Sequence, residues 1–420
     1  MSRPRHHPHR NRIRGFGYFG RLGPGLITGA ADDDPSGIGT YSQVGAQFRY
    51  GMVWTAPFCF PLAAAVQEMS ARIGLASGKG LSACVRARFP RWVLVPTLAL
   101  VCVANIFNIG ADLGSMAASV RIVVPIPYEA ALVGFAVGMV GLEIVLSYRT
   151  YSKVLRWLTL SLFAYIAVLA KAHVKWSEVA RSTIHPAIHG RTAIAALIAV
   201  LGTTISPYLF FWQASEEVEE EREHQGHGAP VEEQIRAMRV DVIAGMFSAV
   251  AVMFAIVVAS AATLGAAGIR TIGTADQAAR ALAPIAGHAA GLLFALGIIG
   301  TGMLAVPVLA GSSAYALSEA FGWNEGLSRR FKEAEGFYGV VILAVGVGVV
   351  FGFTHLNPIR ALYYSAILNG LAAPPLILLM LILSNAHGTV GSRVGGRISD
   401  AFVGLTFVAM TALPIWYLLS

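Results

Sequence analysis

The stretch Asp32-Asp33-Asp34-Pro35-Ser36-Gly37-Ile38-Gly39 lies in the middle of an otherwise apolar segment, residues 22–48. A second stretch, Gly202-Thr203-Thr204-Ile205-Ser206-Pro207-Tyr208, lies in the middle of the apolar segment 192–215. Each segment therefore has a hydrophobic half, a polar break containing proline, and a second hydrophobic half. Proline has no N–H with which to continue a helix, so carbonyls upstream are freed. In lipid, freed backbone groups persist only where they line a polar cavity or are satisfied by neighbours. Pro35 and Pro207 are 172 residues apart, and each opens a block of five apolar segments. Interrupted segments at matching positions of two halves point to an inverted-repeat transporter with its site near the middle of the membrane.

The rest of the chain agrees with that reading. Its 420 residues are 55% hydrophobic and 13% charged, with a mean hydropathy of +0.63. Soluble domains carry roughly 25% charged residues, so a soluble enzyme, a secreted disulfide scaffold and a disordered chain are excluded. Apolar segments of membrane-spanning length fall at 22–48, 51–73, 93–119, 126–147, 154–172, 192–215, 240–268, 284–320, 337–355, 358–384 and 400–419. The expected fold is an all-α polytopic membrane protein with 11 transmembrane helices. Repeat 1 covers 22–172 and repeat 2 covers 192–384, five helices each, and 400–419 forms helix 11. No Ser/Gly-rich linker divides the chain, so a single transporter domain over 1–420 is expected. The longest segment, 284–320, is expected to tilt or to continue as a surface helix.

Orientation follows from the placement of basic residues. With residues 1–21 as a basic cytoplasmic tail, 22 of the 31 Lys and Arg fall in cytoplasmic segments and 9 outside. The net charge of +8 is thereby explained by topology, with no nucleic-acid partner. The expected location is the inner (plasma) membrane, N-terminus cytoplasmic and Ser420 extracytoplasmic, without a cleavable signal. Cys59, Cys84 and Cys102 lack metal or redox spacing and read as packing residues. The run Glu216-Glu217-Val218-Glu219-Glu220-Glu221, continuing to His224 and His227, reads as a solvated helix extension. His6, His7 and His9 read as part of the basic tail. Trp54, Trp92, Trp157, Trp176 and Trp212 read mostly as interfacial anchors.

Ionisable residues inside a membrane are costly and are functional candidates by default. Here they are Asp32, Asp33, Asp34, Glu68, Asp112 and Glu143. Asp34, beside Pro35 and its freed carbonyls, is the best ligand for a hard cation. Asp32 or Asp33 flanks the path or caps the broken half-helix. Glu68 either lines a wet entry path or pairs with Arg72 one turn on. Asp112 and Glu143 lie near segment ends, where an interfacial position is the simpler reading.

With these residues in view, the chain resembles the Nramp family of divalent-metal transporters over nearly its full length. The resemblance is carried in order by Gly23-Pro24-Gly25, Asp34-Pro35-Ser36-Gly37 and Gly45-Ala46-Gln47-Phe48, then Ala71-Arg72-Ile73-Gly74 and Ser77-Gly78-Lys79. It continues through Ala111-Asp112-Leu113, Asn357-Pro358-Ile359-Arg360-Ala361-Leu362, Leu368-Asn369-Gly370 and Pro374-Pro375. It implies a leucine-transporter-type architecture and a metal site formed by Asp34, Gly37, the Thr203 carbonyl and Ser206. Asp33, Glu68, Tyr208 and Gln213 would line the cavity or meet the ion through water.

The departures from the family pattern carry as much information. Where family members have an Asn three residues after the helix-one Asp, this chain has Gly37. Their sixth helix reads Met-Pro-His, and this one reads Ser206-Pro207-Tyr208. A thioether favours transition metals, whereas carboxylate, carbonyl, hydroxyl and water suit Mg²⁺, an ion that usually keeps several waters. Gly37 and Ser206 are expected to enlarge the site and remove its soft ligand, as in the Nramp-related magnesium transporters. The family's proton machinery is also thinned. Ser115 stands in place of its Glu, Tyr208 and Gln213 in place of its His residues, and residues 337–353 lack Lys and Arg. Asp112 is the residual position of that proton path.

The expectation is therefore a carrier, not an enzyme, that imports a largely hydrated divalent cation by alternating access without coupling to protons. Mg²⁺, and also Mn²⁺, is the transported ion, with no cofactor. Two alternatives stay open: a proton-coupled Mn²⁺/Fe²⁺ carrier of the Nramp type and a carrier of small organic solutes on the same fold. The sequence gives no oligomeric state.

Overall fold

The protein is described from a computed structural model covering residues 24–145, 162–186, 188–224, 231–354 and 356–420. The basic tail, Gly23, the first part of the fifth apolar segment with Trp157, and His227 lie outside the described residues.

The first apolar segment forms two helices, α1 (Pro24–Asp32) and α2 (Pro35–Phe48). The break between them has a local cause. A residue before proline is pushed out of the helical region, and Asp34 is extended at φ −67° and ψ 169°. Proline is suited to the first helical position, and Asp to the cap before it. Asp34 Oδ1 accepts from Gly37 N at 2.8 Å, so Asp34, not Asp32 or Asp33, is the cap of the second half-helix.

After α2 come α3 (Thr55–Ser77), the short α4 (Leu81–Arg88), α5 (Arg91–Val120), α6 (Tyr128–Val145), α7 (Phe163–Lys171) and α8 (Trp176–Ile184). The second broken segment gives α9 (Gly190–Thr204) and α10 (Pro207–His224). Then follow α11 (Val231–Ser260), α12 (Ala290–Phe321), α13 (Glu335–Gly352), α14 (Pro358–Ser384) and α15 (Arg397–Leu419). No strand occurs among the described residues. The expected helix at 284–320 is divided: Gly287, at φ 50°, separates a short helix, Ala283–Ala286, from α12.

Eight helical stretches among the described residues are long and apolar enough to cross a membrane. Three of the eleven expected segments are not among them, each for an identifiable reason. The first is broken by its aspartates, α3 carries Gln67, Glu68, Ser70 and Arg72 in buried positions, and the fifth is described only in part.

The two broken segments sit inside the bundle. α1 lies along α11, and α9 lies along α14. In membranes helices gain by close backbone approach at small residues, and the sequence supplies them at both contacts. A Cβ on Gly25 would stand 2.6 Å from Val242 N, and one on Gly202 would collide with Ala366 O and Gly370. α5 packs against α12, α13 and α14 and brings its buried face to the first break.

Two surface readings are corrected by this packing. Trp212 is fully buried, its ring against Gly311 and edge-to-face with Tyr315 at 6.1 Å, so it is a core residue and not an interfacial anchor. Trp92 and Trp176 are exposed, as anchors would be. The glutamate run is not simply solvated. α10 carries it inward against α3 and α12, so Glu217 is buried and accepts from Gln213 Nε2 at 2.8 Å, one turn earlier. Glu219 accepts from the Tyr315 hydroxyl at 2.6 Å.

Candidate metal site

The carboxylate of Asp34 is the centre of the group. Oδ1 accepts from Ser36 Oγ at 2.6 Å and from Gly37 N at 2.8 Å. Oδ2 accepts from Asn108 Nδ2 of α5 at 3.0 Å and, at the longer distance of 3.4 Å, from the Tyr208 hydroxyl of α10. The positive end of α2 also faces this carboxylate, since its first N–H groups are unsatisfied by the helix itself. Oδ1 thus has two close donors and Oδ2 one, in a group that can accept about four. The more open oxygen is Oδ2.

The second break is joined to the first by hydroxyls. Ser36 Oγ and Thr203 Oγ1 are 3.0 Å apart, and the Tyr41 and Thr204 hydroxyls are 2.8 Å apart. The Tyr208 hydroxyl donates to Ala31 O at 2.9 Å, a carbonyl at the end of α1. At the break itself, Ser206 Oγ donates back to Thr203 O at 2.8 Å and Gly202 O at 3.0 Å. This satisfies carbonyls that Pro207 cannot reach and leaves the lone pairs of Ser206 as acceptors. Asp32, Asp33, Asp34, Thr203, Ser206 and Tyr208 are all buried.

Gly37 lies against the same break. A Cβ there would meet Tyr41 Cε2 at 3.2 Å, Asp32 O at 3.4 Å and Thr203 Oγ1 at 3.5 Å. The room left by the missing side chain is therefore bordered by the edge of the Tyr41 ring. Among the described residues, no three His, Cys, Asp or Glu side chains converge as a metal cluster. The partners of Asp34 and of the second break are neutral hydroxyls, carbonyls and amides, and the carboxylates of Asp32 and Asp33 are buried in the same break.

Other expected site residues lie elsewhere. Glu68 is buried in an ionic network, with Oε1 accepting from Arg239 Nε at 2.8 Å and Arg72 Nε at 3.3 Å and Oε2 from Ser399 Oγ at 3.0 Å. The pairing with Arg72 foreseen from the spacing is present, extended by two partners distant in sequence. Gln213 accepts from Thr28 Oγ1 through its carbonyl and donates to Glu217, so both ends of its amide are engaged away from Asp34. Asp112 and Glu143 are buried among the helices. Neither oxygen of Asp112 has a protein hydrogen-bond partner.

Sequence reasoning missed Asn108, Ser36 and Tyr41. Ser36 and Tyr41 could have been suspected from their proximity to the break. Asn108 had a fainter signal: a polar residue one turn before Asp112 within the apolar run of α5.

An all-helical bundle with two broken helices, a buried carboxylate at one break and hydroxyls linking both, has a fold of leucine-transporter type. The comparisons agree. The structure of Mhp1, a nucleobase-cation-symport-1 family transporter, in a closed conformation with bromovinylhydantoin bound superposes with a TM-score of 0.56 at 15% identity, covering 95% of this chain and 92% of that one. The crystal structure of the Eremococcus coleocola manganese transporter in complex with an aromatic bis-isothiourea substituted compound superposes with a TM-score of 0.75 at 19% identity, covering 96% and 87%. Residues 25–420 match the sequence profile described as natural resistance-associated macrophage protein-like, that is, Nramp. The chain belongs to the Nramp family, and it is a transport protein rather than an enzyme. Similar proteins include the divalent metal cation transporter MntH of Acidiphilium cryptum (strain JF-5), 25% identical over 399 residues, 92% of this chain and 88% of that one. MntH of Klebsiella pneumoniae (strain 342) is 27% identical over 289 residues, 67% of this chain and 68% of that one.

Proposed function

We propose that this protein imports a divalent metal cation across the inner membrane, that Mg²⁺ is accepted alongside Mn²⁺, and that no proton moves with the ion. Family membership and the metal-transporting relatives support the cation. The observation that carries the finer reading is the donor set at the two breaks: Asp34 with hydroxyl and backbone carbonyl oxygens and, at Ser206, a hydroxyl in place of a thioether. Hard oxygen donors hold Mg²⁺ and Mn²⁺ without preference for softer metals. Asp34 is the principal ligand, through Oδ2 and with the Thr203 carbonyl and Ser206 opposite. Tyr208 and Asp33 meet the ion's waters. With the N-terminus in the cytoplasm, an inside-negative potential drives entry: a divalent ion gains about 4.6 kcal/mol per 100 mV, twice the single-charge value.

The test is uptake into liposomes holding a magnesium-sensitive dye and a pH dye, under an inside-negative potassium-diffusion potential. Mg²⁺ entry without acidification is expected. Acidification accompanying Mn²⁺ entry, with no Mg²⁺ signal, would move the assignment to a proton-coupled carrier. A selectivity experiment probes the second break: Ser206→Met restores a soft donor, and inhibition of Mn²⁺ uptake by Cd²⁺ is expected to strengthen about tenfold. An unchanged Cd²⁺ inhibition constant would show that position 206 does not face the ion.

A further inference from the structure

Asn108 belongs to none of the motifs that first marked this chain, yet its side chain touches the Asp34 carboxylate. It is fully buried on α5, with Nδ2 donating to Asp34 Oδ2 at 3.0 Å. The orientation of the amide follows from chemistry. A carboxylate only accepts, so the end of Asn108 that faces it is the NH₂, and the carbonyl oxygen is turned to the other side. That oxygen has no protein hydrogen-bond partner. Buried amide oxygens are rarely left so, and a pattern of one engaged and one unengaged end needs a reason.

We propose that Asn108 is a ligand-supplying residue for the transported ion, providing from α5 the amide oxygen that Gly37 does not provide from α2. The proposal rests on the reading of Asp34 as a metal ligand. With no ion present, the amide NH₂ caps the more open oxygen of Asp34. A cation beside Oδ2 reverses the local requirement, from a donor to an acceptor. Rotation of the amide by about 180° about its last side-chain bond meets it, because the two ends of an amide have nearly the same shape. The rotation breaks the one hydrogen bond to Asp34 and no other, since Oδ1 has no protein bond to lose. Asp112 lies one turn further along the same face of α5, and both of its oxygens are without a protein donor. It is the acceptor toward which the displaced NH₂ can turn. Asn108 thereby offers the Asp34 carboxylate a donor before the ion arrives and offers the ion a hard oxygen afterwards, directly or through one retained water.

The test uses the full-length protein in liposomes with Mn²⁺ and Mg²⁺ as probes and compares Asn108→Leu, the double variant Asn108→Leu with Gly37→Asn, and Asp34→Ala. Leucine has the same branching as asparagine and cannot donate or accept. Asn108→Leu is expected to raise the KM for both ions about tenfold. The double variant is expected to recover most of that loss, since a Cβ at Gly37 lies 3.5 Å from Thr203 Oγ1, beside the second break. A KM unchanged in Asn108→Leu, with uptake lost in Asp34→Ala, would overturn the proposal and leave the Asp34 site standing. A raised KM that Gly37→Asn does not restore would reduce Asn108 to a residue that merely holds Asp34, and would overturn it too. Normal uptake by Asp34→Ala would remove both readings together. If Asn108→Leu does not purify as a single folded species, Asn108→Ala carries the same comparison.

Discussion

Replacing Asp34 with alanine or with asparagine is expected to reduce uptake of Mn²⁺ and Mg²⁺ to the level of protein-free liposomes. The two variants separate two roles of one carboxylate. Asp34 caps α2 through Gly37 N and also receives Ser36, Asn108 and Tyr208. Alanine removes the cap, at a cost of about 0.5–2 kcal/mol, and leaves the buried hydroxyl of Ser36 without its carboxylate. Asparagine keeps an oxygen able to accept from Gly37 N and so preserves the break, but it removes the negative charge. A divalent ion leaving water needs that charge, because the groups hydrogen-bonded to Asp34 are themselves neutral. Both variants should therefore lose transport, and Asp34→Asn should match the parent in thermal unfolding. Uptake by Asp34→Asn at the parental rate would show that the charge at this position does not hold the ion.

The second large effect concerns stability. Glu68→Ala is expected to destabilise the protein by about 3–5 kcal/mol, the usual consequence of leaving one member of a buried ion pair without its partner. The stranded group is Arg72, whose side chain is 2% exposed and whose other contact is a 3.4 Å hydrogen bond to Arg393 O. Arg239 is half-exposed and can turn to water. The carboxylate joins α3 to α11 through Arg239 and to α15 through Ser399, so its loss loosens three helices together. The readout is the melting temperature and monodispersity of the purified protein in detergent. Glu68→Gln keeps an acceptor for Ser399 and should fall between the two. A melting temperature for Glu68→Ala equal to the parent's would mean that Arg72 finds other compensation.

How far these features could be read beforehand depended on how local their causes were. The break at Asp34-Pro35 is written in adjacent residues: proline forbids the helical state for its predecessor and is itself suited to the first helical turn. The division of the second segment at Ser206-Pro207 follows from the same chemistry. The i,i+4 pairing of Glu68 with Arg72 was equally visible as spacing on one helix. Trp212 and Glu217 were misread because an aromatic or a glutamate near the end of an apolar run is usually at the interface. Only the way α10 packs against α3 and α12 buries them.

The sequence by itself determined the membrane class, the two broken helices, the Nramp resemblance and the identity of Asp34 as the residue at the first break. The class and the breaks arise from composition, from proline stereochemistry and from residues within one or two turns of each other, and the resemblance from the order of short motifs along the chain. The tertiary structure alone decided which distant groups meet Asp34. Asn108 reaches it from 74 positions away and Tyr208 from 174. It also decided that Glu68 and Gln213 turn to other partners. A side chain's neighbours across helices depend on helix rotation and on the depth of backbone contact, set here by pairs such as Gly25 with Val242 and Gly202 with Gly370. These are distances between chain segments that no local pattern specifies.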